Sequence, residues 1–222
     1  MKKLLILFVV LLISYACKQK QESKIIEPDL SIAEKIANAN GFSNWNKVSQ
    51  ISFTFNVDKD TTHFERSWSW KPKTGDVILI TGTDTISYNR KSIDSLSIKA
   101  DKSFINDKFW LLAPFQLVWD SGTQISEPTL EKAPISNSEL NKITLTYTNN
   151  GGYTPGDAYD FYFGDDYIIR EWIFRRGNAK EATMTTTWEN YKDFNGINIA
   201  LEHKRLEEAW SLNFTNVAVK MQ

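Results

Sequence analysis

The fold is decided by the stretch from Gln50 to Asp58, which reads QISFTFNVD. Apolar and polar side chains alternate along this stretch, so every second side chain lies on the same face of an extended chain. That spacing is typical of a β-strand with one buried face. The residues that would face the core are Ile51, Phe53, Phe55 and Val57.

Segments beyond this strand repeat the alternation. The stretch from His63 to Lys71 does so with one interruption, Arg66, on its apolar side. Further alternating segments lie between Lys142 and Lys220, separated by hairpin signals such as Asn195-Gly196. Because no long helices alternate with these strands, a parallel sheet is disfavoured. We therefore predict a mainly β chain with one large antiparallel sheet of about ten strands, which at that size should curl or split.

Two helices are predicted beside the strands. Ser31 and Glu34 have the spacing of a capping box and introduce a helix from Ile32 to Asn40. A second helix, from Lys102 to Ala113, is apolar on more than one face, and Pro114 should end it. Its main stripe consists of Phe104, Ile105, Phe109 and Leu112. We expect this helix to cover the concave side of the curved sheet.

Composition limits the classes of protein to consider. The chain has 222 residues, 41% of them hydrophobic, which excludes a disordered chain and a coiled coil. Lysine and arginine total 26 against 27 acidic residues, so the charge balance argues against a nucleic-acid partner. A single cysteine excludes a disulfide scaffold and a cysteine-rich metal site.

The first residues have the pattern of a secretory signal peptide. Met1-Lys2-Lys3 is followed by ten apolar residues and then by Ser14-Tyr15-Ala16-Cys17. The apolar run is too short to span a membrane, which needs about 20 residues. Both an ordinary signal-peptidase site and a bacterial lipobox place the cut before Cys17.

The lipobox interpretation is favoured because the only cysteine of the chain stands where lipidation requires one. Cys17 would then carry a diacylglycerol and an N-acyl chain such as palmitate, and these chains would hold the protein to a membrane. We predict a signal peptide over 1–16, a lipid anchor and tether over 17–28, and a single folded domain over 29–222.

No catalytic, metal or cofactor site is predicted. His63 and His203 are far apart in sequence, and neither has a His or Cys at metal-ligand spacing. His203 precedes Lys204 and Arg205 and is interpreted as a surface residue. The chain contains no G-x-S-x-G nucleophile elbow. A hydrolase site that only the fold would assemble stays open as an alternative.

The aromatic residues allow three interpretations. They could form an ordinary core, line an apolar cavity on the concave side of the sheet, or stack on sugars as exposed platforms. The candidate cavity-lining residues are Phe53, Phe55, Trp68, Trp70, Phe109, Leu112, Phe161 and Phe163.

Several stretches together resemble LolA-like envelope lipoproteins, which are distantly related to the periplasmic lipoprotein carrier. They are Ala33–Phe55 with its Asn40-Gly41 and Trp45, Asp107–Phe115, Ile143–Tyr147, Tyr153–Tyr159 and Trp188–Ile199. The resemblance implies a half-barrel of antiparallel strands capped by helices, with a cavity for lipid or acyl chains. It implies no catalytic residues.

These observations lead to one expected function and two alternatives. We expect a monomeric, lipid-anchored protein of the cell envelope, on the periplasmic or surface face of the outer membrane. It would bind a hydrophobic ligand or a lipoprotein acyl chain in the half-barrel and would not be an enzyme. A glycan-binding surface lipoprotein and an envelope hydrolase are the alternatives.

Overall fold

A computed structural model describes residues 30–148, 152–206 and 208–222. The predicted signal peptide, the tether and Cys17 lie outside these residues. In chain order, the first elements are α1 (Ile32–Ala39), β1 (Val48–Lys59), β2 (Thr62–Lys71), β3 (Asp76–Thr81), β4 (Asp84–Asn89), α2 (Ile98–Trp119), β5 (Thr123–Ile125), β6 (Thr129–Lys132) and β7 (Glu139–Tyr147). They are followed by β8 (Ala158–Phe163), β9 (Ile169–Arg175), β10 (Met184–Thr187), β11 (Lys192–Asp193), β12 (Asn198–Ile199), β13 (Glu202–Lys204) and β14 (Trp210–Met221).

The capping box predicted for α1 is present. The backbone N–H of Glu34 donates to Ser31 Oγ at 3.3 Å, and the backbone N–H of Ser31 donates to Glu34 Oε2 at 2.8 Å. The helix buries Ala33, Ile36 and Ala37 and ends one residue before the predicted limit. This buried face packs into the core, and Ile32, Glu34 and Lys35 of the first turn are half-buried.

The strand predicted from Gln50 to Asp58 forms the centre of β1. Its apolar side is buried, and its neighbours are β2 on one edge and β14 on the other, both antiparallel. Phe53 lies opposite Trp68 of β2, and Phe55 lies opposite Phe214 of β14. Because side chains directly opposite share a face, these pairs join the inner surfaces of three strands.

The fold class is as predicted: mainly β, antiparallel, with helices over large sheets that do not close into a barrel. The expected single sheet is divided, however. One six-stranded sheet has the order β13-β14-β1-β2-β3-β4, and the other has the order β10-β9-β8-β7-β5, with β6 also paired to β7. One isolated bridge, between Glu189 just after β10 and Glu202 of β13, joins the two sheets across the boundary. Between β10 and β13 the chain forms the small β11–β12 hairpin, which belongs to neither sheet.

The second helix is longer than predicted. α2 continues through Pro114 to Trp119, so the expectation that Pro114 ends the helix is wrong. Leu112 leaves helical geometry, with φ −129° and ψ 30°, and the helix is kinked there. Pro114 therefore lies in the first turn of a new helical segment, where its missing N–H has no partner to lose.

α2 is buried on every face from Phe109 to Leu117, and before that on the side of Ala100, Phe104 and Asp107. Its long side chains pack between the inner faces of the two sheets, in the same apolar cluster as β1, β2, β8 and β9. A helix that is apolar all round is one that other elements surround. α2 thus fills the interior of the half-barrel, and α1 packs against α2.

Candidate functional site

The eight residues predicted to line a cavity come together around α2. Four lie on β1 and β2 (Phe53, Phe55, Trp68 and Trp70), two on β8 (Phe161 and Phe163) and two on α2 itself (Phe109 and Leu112). Each is at most 8% exposed, and all belong to one apolar cluster. In this arrangement the helix occupies the space between the two sheets. The role of these residues in lining a ligand cavity stays a prediction.

Aromatic contacts connect α2 to both sheets. On the first sheet, the rings of Trp68 and Trp70 meet Phe104 edge-on at centroid distances of 5.3 and 5.4 Å. On the second sheet, Phe109 lies 5.8 Å from Trp172 and stacks on Tyr153 at 4.1 Å. Offset and edge-on pairs of this kind stabilise a core beyond the area that they bury.

A buried carboxylate ties the middle of α2 to the first sheet. Asp107 is fully buried and accepts hydrogen bonds from Arg66 Nε at 2.5 Å, Arg66 Nη2 at 2.7 Å and Trp68 Nε1 at 2.7 Å. This contact explains why a cation interrupts the apolar side of β2. It also explains why an acid is tolerated in the core, since a buried charge needs a charged and hydrogen-bonded partner.

Similar polar contacts hold the rest of α2. Near its start, Arg90 Nε donates to Asp101 Oδ1 at 2.8 Å. Just after its end, the hydroxyl of Tyr147 donates to Asp120 Oδ2 at 2.5 Å. We call the pairs Arg66–Asp107, Arg90–Asp101 and Tyr147–Asp120 the polar ties of α2. The sequence signal for them is a set of acids within or at the end of an otherwise apolar helix, which sequence reasoning did not use.

A groove lies beside α1. It has a volume of about 870 Å³ and runs between the start of α1 and the loop that follows β5. Phe163 borders it, and Glu127 and Asp165 add charge. Its volume suits a small ligand, yet of the eight predicted lining residues only Phe163 reaches it.

His203 is buried, so its interpretation as a surface residue is wrong. It lies on the inner side of β13, with Trp188 at 4.4 Å and Trp110 at 5.2 Å between ring centroids. Its Nδ1 contacts the carbonyl oxygen of Thr187 at 3.2 Å. Burial penalises the imidazolium and lowers the pKa of His203 to about 3, so the side chain is neutral near pH 7.

His63 is an exposed residue of β2. Its Nδ1 lies 2.7 Å from Asp58 Oδ1, and this contact raises the pKa of His63. Within residues 30–148, 152–206 and 208–222, no group of three or more His, Cys, Asp or Glu side chains could hold a metal ion. In the same part of the chain, neither α1 nor α2 has the length and apolar content needed to cross a membrane.

No protein-family model matches this chain, and no curated protein matches it. Solved structures are similar to it at low identity. A DUF1329 family protein from Desulfovibrio piger has a TM-score of 0.45 and 8% identity, over 85% of this chain and 90% of that one. A LolA superfamily protein from Nitrosomonas europaea has a TM-score of 0.46 and 10% identity, over 87% and 96%.

A third similar structure comes from Vibrio parahaemolyticus and is described as an outer membrane lipoprotein-sorting protein domain. Its TM-score is 0.42 at 14% identity, over 85% of this chain and 93% of that one. At these identities none of the three likenesses carries a function across to this chain.

Proposed function

We propose that this protein binds a hydrophobic ligand, or the acyl chain of a lipoprotein, between the two sheets of its half-barrel. The observation that carries the proposal is the burial of α2 on every face from Phe109 to Leu117. A single kinked helix fills the concave side, and the aromatic residues on both sheets face it. Because an acyl chain is also narrow and apolar, it could cover the same surfaces if α2 shifted.

Such an exchange would leave the apolar burial of these side chains nearly unchanged. Exposing the apolar side chains around α2 would cost about 25 cal/mol for each Å² returned to water. A ligand that covers those side chains again recovers most of this cost. The net affinity then depends on the polar ties, which must loosen, and on the ordering of the ligand.

The kink at Leu112 supplies a place where α2 could bend. The polar ties Arg66–Asp107 and Arg90–Asp101 hold the helix before the kink, and Tyr147–Asp120 holds it after the kink. The polar ties thus attach the part before the kink to the first sheet and the end of the helix to the second sheet, while Phe109, before the kink, also packs on Trp172 of the second sheet. We infer that a ligand enters by displacing one half while the other half stays in place.

The proposed location is the cell envelope, with the folded part held to a membrane by lipid on Cys17. The signal-like start and the position of the lone cysteine support this location. A tether of eleven residues, 18–28, would average about 18 Å end to end and keep the half-barrel close to the lipid surface.

The two alternatives would need features of other kinds. A glycan-binding surface would need a row of exposed aromatic rings, and in the described part of the chain only Phe64 keeps a largely exposed ring, at 46%. A hydrolase centred on His203 would need a serine or carboxylate beside it. His203 instead has aromatic rings and the carbonyl oxygen of Thr187 as its neighbours.

A fluorescent fatty-acid probe tests the proposal. We expect the native protein to bind the probe and Trp70→Ser to bind it about tenfold more weakly, because Trp70 faces the helix from inside. Phe64→Ser, on the same strand but exposed, is the control and should bind normally. Absence of binding by the native protein would refute the proposal. Equal losses in the two variants would place the probe on the outer surface and refute it as well.

A further inference from the structure

A small pocket lies at the open side of the half-barrel, between the outer edges of the two sheets. It has a volume of about 270 Å³. Arg90 borders it directly after β4, Ser121 just before β5, and Tyr153 from the connection between β7 and β8. α2 forms the floor. The floor residues are Ile105, Lys108, Gln116 and Trp119.

Two cations of this pocket have hydrogen-bonding capacity to spare. Arg90 uses Nε for Asp101, and in the described part of the chain its terminal nitrogens make no hydrogen bond. Lys108 Nζ lies over the rings of Trp119 and Trp70, at 5.4 and 6.0 Å from their centroids. Among the described residues, no carboxylate lies within 4 Å of Lys108 Nζ.

The nearby acids are engaged elsewhere. Asp101 is paired with Arg90, and Asp120 accepts from Tyr147. With its amide oriented to satisfy both groups, Gln116 accepts from Lys108 Nζ at 2.8 Å and donates to Asp120 Oδ1 at 3.0 Å. A neutral amide therefore stands between Lys108 and Asp120, whose carboxylate also borders the pocket, and Lys108 Nζ contacts no carboxylate of the described residues directly.

The electrostatics of Lys108 agree with this geometry. Burial and the positive charge of Arg90 lower the pKa of Lys108 to about 8, while Asp120 and Asp101 act in the opposite direction. An ammonium group in such a place is stabilised when an anion comes within hydrogen-bonding distance. The two aromatic faces beside Nζ limit its contact with water, which strengthens that attraction.

We propose that this pocket binds the anionic headgroup, a carboxylate or a phosphate, of an amphiphile whose apolar tail enters the half-barrel. The inference rests on the proposed function and specifies the class of ligand. Continuity with the interior supports it, because Trp70, over which Lys108 Nζ lies, is one of the eight predicted lining residues. Trp119 likewise meets Phe115 of the core at 5.4 Å.

Calorimetric titration with three small molecules tests the proposal on the full chain. Dodecanoate carries the charge and the tail, dodecanol only the tail, and acetate only the charge. We expect dodecanoate to bind at least tenfold more tightly than dodecanol at pH 7 and acetate to bind far more weakly than either. Equal affinity for dodecanoate and dodecanol would overturn the headgroup site and leave the proposed function intact. Absence of binding by both would overturn the two together.

A substitution assigns the difference to Lys108. Lys108→Met keeps most of the aliphatic stem and removes the charge, so dodecanoate should bind about tenfold more weakly and dodecanol as before. Lys102→Met changes the same charge at an exposed position of α2 and should change neither affinity. Acetate binding as tightly as dodecanoate, or loss of dodecanoate binding in Lys102→Met, would contradict the proposal.

The pH dependence in the native protein provides a measurement that needs no variant. Lys108 carries its charge below its pKa, so dodecanoate affinity should fall as the pH rises from 7 to 9.5, and dodecanol affinity should stay constant. The other groups near Lys108 are Arg90, Asp101, Asp120 and Tyr153. Burial raises the pKa of Tyr153, and it stays neutral in this range. A dodecanoate affinity that does not change with pH would overturn the assignment to Lys108.

Discussion

Gly41 shows how strongly the fold depends on one backbone position. Its φ is +89°, in the region that favours glycine, and an added Cβ would lie 1.9 Å from the carbonyl oxygen of Gly196. Gly82 also has a positive φ, +57°, but a Cβ there would meet no atom within 4 Å. Alanine substitutions at the two glycines therefore distinguish the cost of backbone strain from the cost of a steric collision.

We expect Gly41→Ala to lower the free energy of unfolding by more than about 2 kcal/mol, because backbone strain and a collision add together. Gly82→Ala carries the strain alone and should cost about 1 kcal/mol. Urea unfolding of both variants measures the two losses. Equal losses would mean that the approach of Gly41 to Gly196 does not constrain the fold.

His203 should make stability depend on pH in the acid range. Its pKa is about 3 in the folded chain and 6.5 as a free side chain, so the unfolded chain binds the proton more readily. Stability therefore falls as the pH drops from 6.5 towards 3. Between pH 7.5 and pH 5 the loss should be about 2 kcal/mol.

The variant His203→Phe keeps an aromatic ring and removes this titration. The free energy of unfolding of the native chain, measured by urea at pH 7.5 and 5, should fall by about 2 kcal/mol more than that of the variant. His63 has a raised pKa, so its contribution is present at low pH and lost as the pH rises. It is common to both proteins and cancels. Identical pH dependence in the two would show that His203 becomes protonated without cost.

Among the secondary-structure elements, α2 combines two properties that are usually found in different helices. It is buried like a core helix, yet it carries acids that pair with cations outside it. The Arg66–Asp107 pair is two-pronged and almost closed to water, while the Arg170–Asp166 pair is exposed on both sides. The two ion pairs thus offer a matched comparison of a buried tie with a surface pair.

Removing the buried tie should lower stability and favour ligand binding at the same time. Arg66→Met leaves Asp107 buried without its cation, which should cost about 3–5 kcal/mol. Arg170→Met should change stability by less than about 1 kcal/mol. If α2 must shift for a ligand to enter, Arg66→Met also raises the fraction of molecules that can bind.

Urea unfolding and titration with the fatty-acid probe measure the two effects. Tighter probe binding by a folded but less stable Arg66→Met variant, with Arg170→Met unchanged in both assays, is the expected result. Arg66→Lys, which keeps the charge and loses the two-pronged contact, replaces the methionine variant if that variant does not fold. Weaker or unchanged probe binding by a folded variant would mean that α2 does not have to shift.

At the scale of the whole molecule, the predicted lipid on Cys17 determines where the half-barrel works. Cys17→Ser should release the protein from membranes, because serine cannot form the thioether to diacylglycerol. Fractionation of cells that produce the native chain or the variant measures this release, and intact-mass analysis of the native chain measures the acyl groups. A membrane-bound serine variant, together with a native chain of unmodified mass, would contradict lipidation.

The seam between the sheets is a second property of the whole molecule. The two sheets meet through the Glu189–Glu202 bridge, and the aromatic rings of Trp110, Trp188 and His203 pack behind it. Side-chain packing rather than a long ladder of hydrogen bonds therefore connects the two sheets.

Features that depend on neighbouring residues are predictable from local sequence patterns. The alternation in β1 and β2, the Ser31–Glu34 capping box and the antiparallel, mainly β class all follow from patterns a few residues long. Such patterns reflect backbone geometry directly, since side chains alternate between the two faces of a strand and return to the same face of a helix every third or fourth residue. The eight aromatic and aliphatic residues of the candidate site were likewise chosen by period, and all eight are buried.

Features that depend on residues far apart in the sequence become visible in the folded chain alone. Arg66 and Asp107 are 41 positions apart, and neither reveals its partner in the sequence. His203 is buried against Trp110 and Trp188, and Pro114 lies within α2 just after the kink at Leu112. Contacts of this kind form only when distant parts of the chain fold together. They therefore produce no repeating pattern of residues in the local sequence.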